Sequence, residues 1–234
     1  MCFSATASFS AGVALLGVGA LTLRLALVSP LFSPQWRFLP FAAIPLLFAI
    51  QQLIEGVIWL TFRVDAPLLN SVMTHAYSFF SHVLWPAYVP LAVWLIEPPG
   101  RRRHLLLVFV AGGLAVATYL LYILVVFPVA SRSVGQHVEY VSPHFFAALT
   151  MTLYLLSTTA CPLLSVHRMV KAFGALSLLA FGAAYYFYAQ WFISVWCLFA
   201  ALLSAVIYLH FALPRGADRG SDRGMTRSAT QASN

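Results

Sequence analysis

An all-α bundle of seven transmembrane helices is the fold class this sequence predicts, and three observations predict it. Hydrophobic residues fill 62% of the 234 positions and charged residues 8%, against roughly 45–50% and about 25% in soluble domains. Mean hydropathy is +0.88, so a water-soluble fold would have too little polar surface to present. Apolar runs repeatedly reach the roughly 20 residues that cross a bilayer core of about 30 Å. Each run is cut by loop chemistry: "SPLFSPQWRFLP", "EPPGRRRH", "ASRSVGQHVEYVSPH" and "HRMVK".

Divided at those loops, the chain reads as spans over about 8–28, 39–62, 71–96, 105–129, 145–166, 172–188 and 191–213. They form one domain, 1–213, followed by a Gly/Ser/Arg/Asp-rich basic and polar tail, 214–234, expected to be disordered. No basic residue precedes the first run, so it reads as a retained helix and not as a secretory signal. Orientation follows from Lys and Arg. With the N-terminus outside and the C-terminus cytoplasmic, Arg37, Arg101, Arg102, Arg103, Arg168, Lys171 and the tail arginines fall inside, and Arg63 and Arg132 stay outside. That is the bias of the positive-inside rule. The net charge of +7 is thereby explained by topology, and the expected partner is the lipid bilayer of a cell inner membrane, with no nucleic acid. Three cysteines do not make a disulfide framework.

Within this apolar frame, "EGVIWLTFRVDAPLLNSVMTHAYSFFSHVLWP" places Glu55, His75 and His82 inside the second and third spans. A carboxylate there costs at least about 2.5–3.5 kcal/mol unless it is paired, protonated or metal-bound. No Lys or Arg lies at its depth. His75 and His82 are seven residues apart, nearly two helical turns, so they are expected to share a face with Ser78 between them. Gln51, Gln52 and Trp59 lie one turn from Glu55 as its surroundings. Pro86 lacks the N–H that would bond the His82 carbonyl, which predicts a kink and an available carbonyl there.

Cys2, after removal of Met1, would present an amine and a thiolate as a chelate. Carboxylate, imidazole and thiolate together suit zinc. The expectation is therefore a divalent metal, Zn2+, held by Glu55, His75, His82 and Cys2. Were the protein an enzyme, Glu55 and Ser78 would be its catalytic residues, with metal-bound water hydrolysing a lipid or small-molecule substrate. A second reading is a proton-linked transporter or sensor using a metal-free Glu/His relay. A third is a structural bundle without catalysis.

Other features read more plainly. Ser4, Ser8 and Gly12 form a small-residue ridge for close helix approach. The hydroxyls of "STTACP" are expected to bond their own backbone. His104, His167 and His210 sit at inner span ends and read as headgroup contacts. The loop carrying His137, Glu139 and His144 is either a lid with further ligands or an ordinary solvated connection, the simpler reading. A retinal protein needs a lysine in its last helix, whereas the only lysine, Lys171, lies at the inner end of the sixth span.

The opening "MCFSATASFSAG", with "QQLIEGVIW" and "SHVLWP", resembles an uncharacterised family of bacterial integral membrane proteins that begin Met-Cys-Phe-Ser. That resemblance implies a stand-alone multi-pass protein of a prokaryotic inner membrane and no established activity. A looser likeness is to the seven-span metal hydrolases of the alkaline ceramidase and adiponectin-receptor type, which hold one zinc with histidines, an acid and a serine. This chain departs from them in its seventh span, which lacks their paired histidines and carries His210 at the wrong end.

Overall fold

A computed structural model describes residues 4–135, 137–143, 146–187, 199 and 201–213. The helices are α1 (Ala5–Val28), α2 (Leu39–Val64), α3 (Pro67–Ser78), α4 (Trp85–Ile96), α5 (Arg101–Val126), α6 (Ala147–Leu155), α7 (Cys161–Leu163), α8 (Arg168–Phe187) and α9 (Ser204–Ala212). A π-helical turn, Phe79–Leu84, joins α3 and α4 into one span, and another, Leu156–Ala160, joins α6 and α7. Among the described residues, five helices are long and apolar enough to cross a membrane: Ala5–Val28, Leu39–Val64, Pro67–Ile96, Arg101–Val126 and Arg168–Tyr186. They coincide with the first four expected spans and the sixth. The fifth holds the shorter apolar helix Ala147–Leu163. Residues 191–198 and 200 of the expected seventh span, and the tail 214–234, lie outside the described residues, which include α9 at that span's end.

The small-residue ridge of α1 is where the bundle begins. Ser4 caps the helix by accepting from the Ala7 amide at 3.2 Å. Ser8, Gly12, Leu15, Gly19, Thr22 and Ala26 then form its buried face. A Cβ on Gly12 would lie 2.8 Å from Leu53, one on Gly19 would lie 2.5 Å from Leu46, and one on Gly56 of α2 would lie 2.9 Å from the Phe9 ring. The pairs 9/56, 12/53 and 19/46 fix α1 and α2 as antiparallel neighbours in one register.

Proline chemistry shapes the next helices. In the turn Phe79–Leu84 the Trp85 amide reaches back five residues to the Phe80 carbonyl. This wider register moves the acceptor that Pro86 leaves without a backbone donor from His82 to Ser81. The Ser81 carbonyl is taken instead by the Tyr154 hydroxyl of α6 at 2.6 Å. The break expected at the His82 carbonyl is thus absorbed one residue earlier, in a π turn. Pro90 likewise leaves the Pro86 carbonyl unbonded within its own helix. Gly113 of α5 packs onto that oxygen, so closely that any Cβ there would overlap it. The second π turn repeats the arrangement: the Cys161 amide reaches Leu156, Pro162 follows, and Gly174 of α8 lies against Pro162 and the Thr159 carbonyl. The hydroxyls of Ser157, Thr158 and Thr159 bond the carbonyls four residues back at 2.8, 2.9 and 2.7 Å, as expected for backbone-bonded side chains.

The longest connection is not the solvated loop expected from its composition. It folds as an antiparallel hairpin, β1 (Ala130–Val134) and β2 (His137–Val141), with Arg132 opposite Glu139. Alternation turns Val138 and Tyr140 to one side, where Val138 is buried against Ile58 and Tyr77. The Tyr140 ring stacks on Tyr77 at 4.4 Å and 2°. A hydrogen-bond chain ties β1 down: Thr74 donates to Ser131 at 2.8 Å, Ser131 to Asn70 at 3.1 Å, Asn70 to Thr61 at 2.8 Å, and Thr61 to the Ile58 carbonyl at 2.6 Å. The hairpin therefore closes the end of the α2–α3 pair. His137, at its edge, is held below the ordinary imidazole pKa of 6.5, chiefly because burial disfavours the charged ring.

Two predictions follow from this packing. Gly113→Ala should destabilise the protein by about 1–3 kcal/mol through overpacking against the Pro86 carbonyl. Gly17→Ala, in open space, should stabilise it by roughly 0.5–1 kcal/mol; thermal melts in detergent measure both. For His137 the depressed folded-state pKa means that the undocked hairpin binds more protons below about pH 6.5. Docking is then fully present above that pH and weakens as pH falls through it. Amide exchange of residues 130–141 should quicken on acidification, and His137→Gln should flatten the response.

Candidate functional site

Glu55 sits about two thirds of the way along α2 and is 0% exposed. Helical spacing stacks Gln51 below it and Trp59 above it, with Gln52 alongside. Both glutamines are buried as well. Trp85 holds Gln51 in place by donating Nε1–H to its Oε1 at 2.8 Å, and Phe48 stacks on the Trp85 ring at 3.9 Å. With Oε1 occupied, Gln51 leaves its amide nitrogen to other work. Gln51 Nε2, Gln52 Nε2 and Trp59 Nε1 are all buried, and none has a hydrogen-bond acceptor among the described residues. Buried polar groups are nearly always bonded to protein or ordered water. Three N–H groups flanking a buried carboxylate therefore mark a site that favours acceptors, such as water or the carboxylate itself.

Glu55, His75 and His82 are not grouped as a set of three ligands among the described residues. His75 is half-buried and bonds within its own helix, Nδ1 to the Ser71 carbonyl at 2.8 Å. His82 lies beyond the start of the π turn. One extra residue in that turn rotates everything after it by about 100°, which undoes the shared face implied by a seven-residue spacing. His82 Nδ1 meets Ser81 Oγ at 2.8 Å and the Ser78 carbonyl at 3.2 Å. Its ring lines a small cavity with Ser78, Ser142 and the α5 residues Leu120, Ile123 and Leu124. Among the described residues no three of His, Cys, Asp and Glu stand together as ligands. Glu55, His75 and His82 thus do not form a metal centre by themselves. Cys2 and His144, the further ligands considered, lie outside the described residues. The N–H groups around Glu55 also fit a metal poorly, because they offer hydrogen atoms where a cation needs lone pairs.

The opposite end of the bundle holds a second polar cluster that the sequence reading passed over. Glu97, which ends α4, is 1% exposed. Its carboxylate accepts from Ser165 Oγ at 2.8 Å and from the Val166 amide at 3.1 and 3.2 Å. Arg37 donates Nε–H to the Leu95 carbonyl and an Nη2–H to the Glu97 carbonyl, both at 2.8 Å, so a cation covers the C-terminal carbonyls of α4. His167 Nε2 lies 3.2 Å from the Ile96 carbonyl. His210, expected at the headgroups, is instead buried beside His167 at 5.3 Å and among Phe32, Phe41 and Phe211. The reason is the segment 30–37: its two short 3-10 turns fold Phe32 inward over this end. Every polar contact of the Glu97 carboxylate is with its own chain, which gives it the character of a clasp.

Comparison with known proteins yields one relationship. No curated protein and no solved structure matches the chain. A family model does, over residues 1–221, which include Glu55, both histidines of the third span and the Glu97 clasp. The chain belongs to DUF6629, a family of unknown function.

Proposed function

We propose that this chain is an integral membrane protein in which Glu55 is the centre of a hydrated, metal-free site that takes up and releases a proton in the service of transport or sensing. The observation that carries the reading is the surplus of buried donors, Gln51 Nε2, Gln52 Nε2 and Trp59 Nε1, around a fully buried acid. Such donors hold water against the carboxylate. Water is the carrier through which a buried acid gains a proton, becoming neutral, and returns it. A carboxylate serving only as helix glue has its donors matched, as Glu97 does. The hairpin over the α2–α3 end controls access to the site from that side.

We read the topology as seven spans in a cell inner membrane, N-terminus outside and tail cytoplasmic. The hairpin end carries Arg63 and Arg132, and the clasp end carries Arg37, Arg101, Arg102, Arg103, Arg168 and Lys171, the asymmetry that the positive-inside rule requires. Zinc hydrolysis of a lipid or small substrate, with Glu55 and Ser78 as catalytic groups, would need Cys2 or another ligand to bring His75 and His82 to the acid.

Infrared difference spectra of the protein in lipid vesicles test the reading. A protonated-carboxyl band should change with pH, persist with chelator, and be absent from Glu55→Gln. The same substitution should reduce proton leak through reconstituted vesicles about tenfold if the protein is a transporter. A carboxyl band that never titrates would leave Glu55 as structural. Stoichiometric zinc in the wild type, lost in Glu55→Gln, would establish the metal centre instead.

A further inference from the structure

At the clasp end, the junction of α4 and α5 gathers positive charge with nothing to balance it. Arg101, Arg102 and Arg103 are the first three residues of α5, whose cap, Gly100, supplies no side-chain bond and whose first turn holds no acid. The positive end of the helix dipole adds to their charge. Among the described residues no carboxylate pairs with them, and Glu97, the acid closest in sequence, spends its carboxylate on Ser165 and the Val166 amide. The tail 214–234 carries Asp218 and Asp222 against four arginines, so its net charge has the wrong sign for a counter-ion.

Arg103 is held in place by its neighbour helix. Its Cζ lies 4.5 Å from the centre of the Trp94 ring, a cation–π contact between α4 and α5. Arg103 Nε and Trp94 Nε1 are both buried and without an acceptor among the described residues, so the pair offers donors and positive charge and no lone pair. Trp94 is two residues from the end of α4 and Arg103 is the third of α5, which puts both within roughly 3 Å of the span ends at about 1.5 Å per residue. One turn deeper on the same faces, Leu91 is 39% exposed and Leu107 43% exposed. Positive charge at the boundary with open apolar surface beneath it matches a phospholipid, anionic at the head and apolar along the chain. A free phosphate would use only the upper half.

We propose that Arg101, Arg102 and Arg103 bind the phosphate of one anionic phospholipid, with Trp94 orienting the Arg103 fork and Leu91 and Leu107 receiving an acyl chain. A guanidinium fork meets two phosphate oxygens at once, and stacking on Trp94 removes freedom that binding would otherwise cost. The inference needs the spans to cross a bilayer; Glu55 and its neighbours take no part in it.

Native mass spectrometry of the full chain, released from mixed micelles of phosphatidylglycerol and phosphatidylcholine, tests it. The expected result is one phosphatidylglycerol retained in preference to phosphatidylcholine, a preference that falls about fivefold in Arg103→Gln and survives an excess of inorganic phosphate. Arg63→Gln, at the hairpin end, should leave it unchanged. Arg101→Gln combined with Arg102→Gln, both exposed side chains, should lower it by at least as much and serves if Arg103→Gln fails to fold. Equal retention of the two lipids, a preference unchanged by the arginine variants of α5, an equal fall in Arg63→Gln, or displacement by inorganic phosphate would overturn the proposal. None of these outcomes bears on the infrared test of Glu55.

Discussion

A backbone group that loses its hydrogen bond inside a bilayer has no water to turn to, and this constraint organises the molecule. Pro86, Pro90 and Pro162 each remove a donor from a helix that must cross apolar surroundings. The chain answers in two ways. It widens the turn before Pro86 and before Pro162 to a five-residue register, and it brings a neighbouring helix to what remains. Tyr154 delivers a hydroxyl to Ser81, and Gly113 lays its bare Cα on the Pro86 carbonyl, where a Cα–H can face the oxygen. Helix positions that look like hydrophobic packing are therefore set by polar necessity.

The same device decides where chemistry can occur. The π turn separates His75 from His82, and amide and indole donors flank Glu55 along its own helix. The two ends of the bundle then differ in kind. Around Glu97 a serine, a backbone amide and an arginine complete a closed set of bonds that locks α4 to the 165–167 turn and to the segment before α2. Around Glu55 the donors Gln51 Nε2, Gln52 Nε2 and Trp59 Nε1 find no acceptor among the described residues.

How much of this was legible in the sequence depends on whether the signal is local. Hydropathy is local, so the first four spans and the sixth emerged to within a few residues, and the ridge Ser8, Gly12 of α1 announced the close α1–α2 contact. The burial of Glu55, with Gln51 and Gln52 beside it, followed from helical spacing alone. The π register did not, because it depends on Tyr154, 73 residues from the carbonyl it serves. The role of Glu97 was hidden for the same reason. It sits in a proline-rich loop string, and its serine partner is 68 residues away. The hairpin had a readable trace in the alternation of Val138 and Tyr140, but charge and Ser/Pro content pointed to a solvated loop. What docks it is Tyr77, on a helix read as transmembrane.

Gly113 against the Pro86 oxygen has a mechanical meaning beyond stability. Axial sliding of α5 past α4 would replace a bare Cα with a neighbouring residue's side chain at the tightest point of the interface, so translation is blocked. Tilting about that point keeps the contact intact. The notch is thus a fulcrum, and Gly174 at Pro162 supplies a similar one for α8. Relative motion of α5 against α4, and of α8 against the second π turn, is thus confined to rocking about these two bearings, in place of a piston stroke.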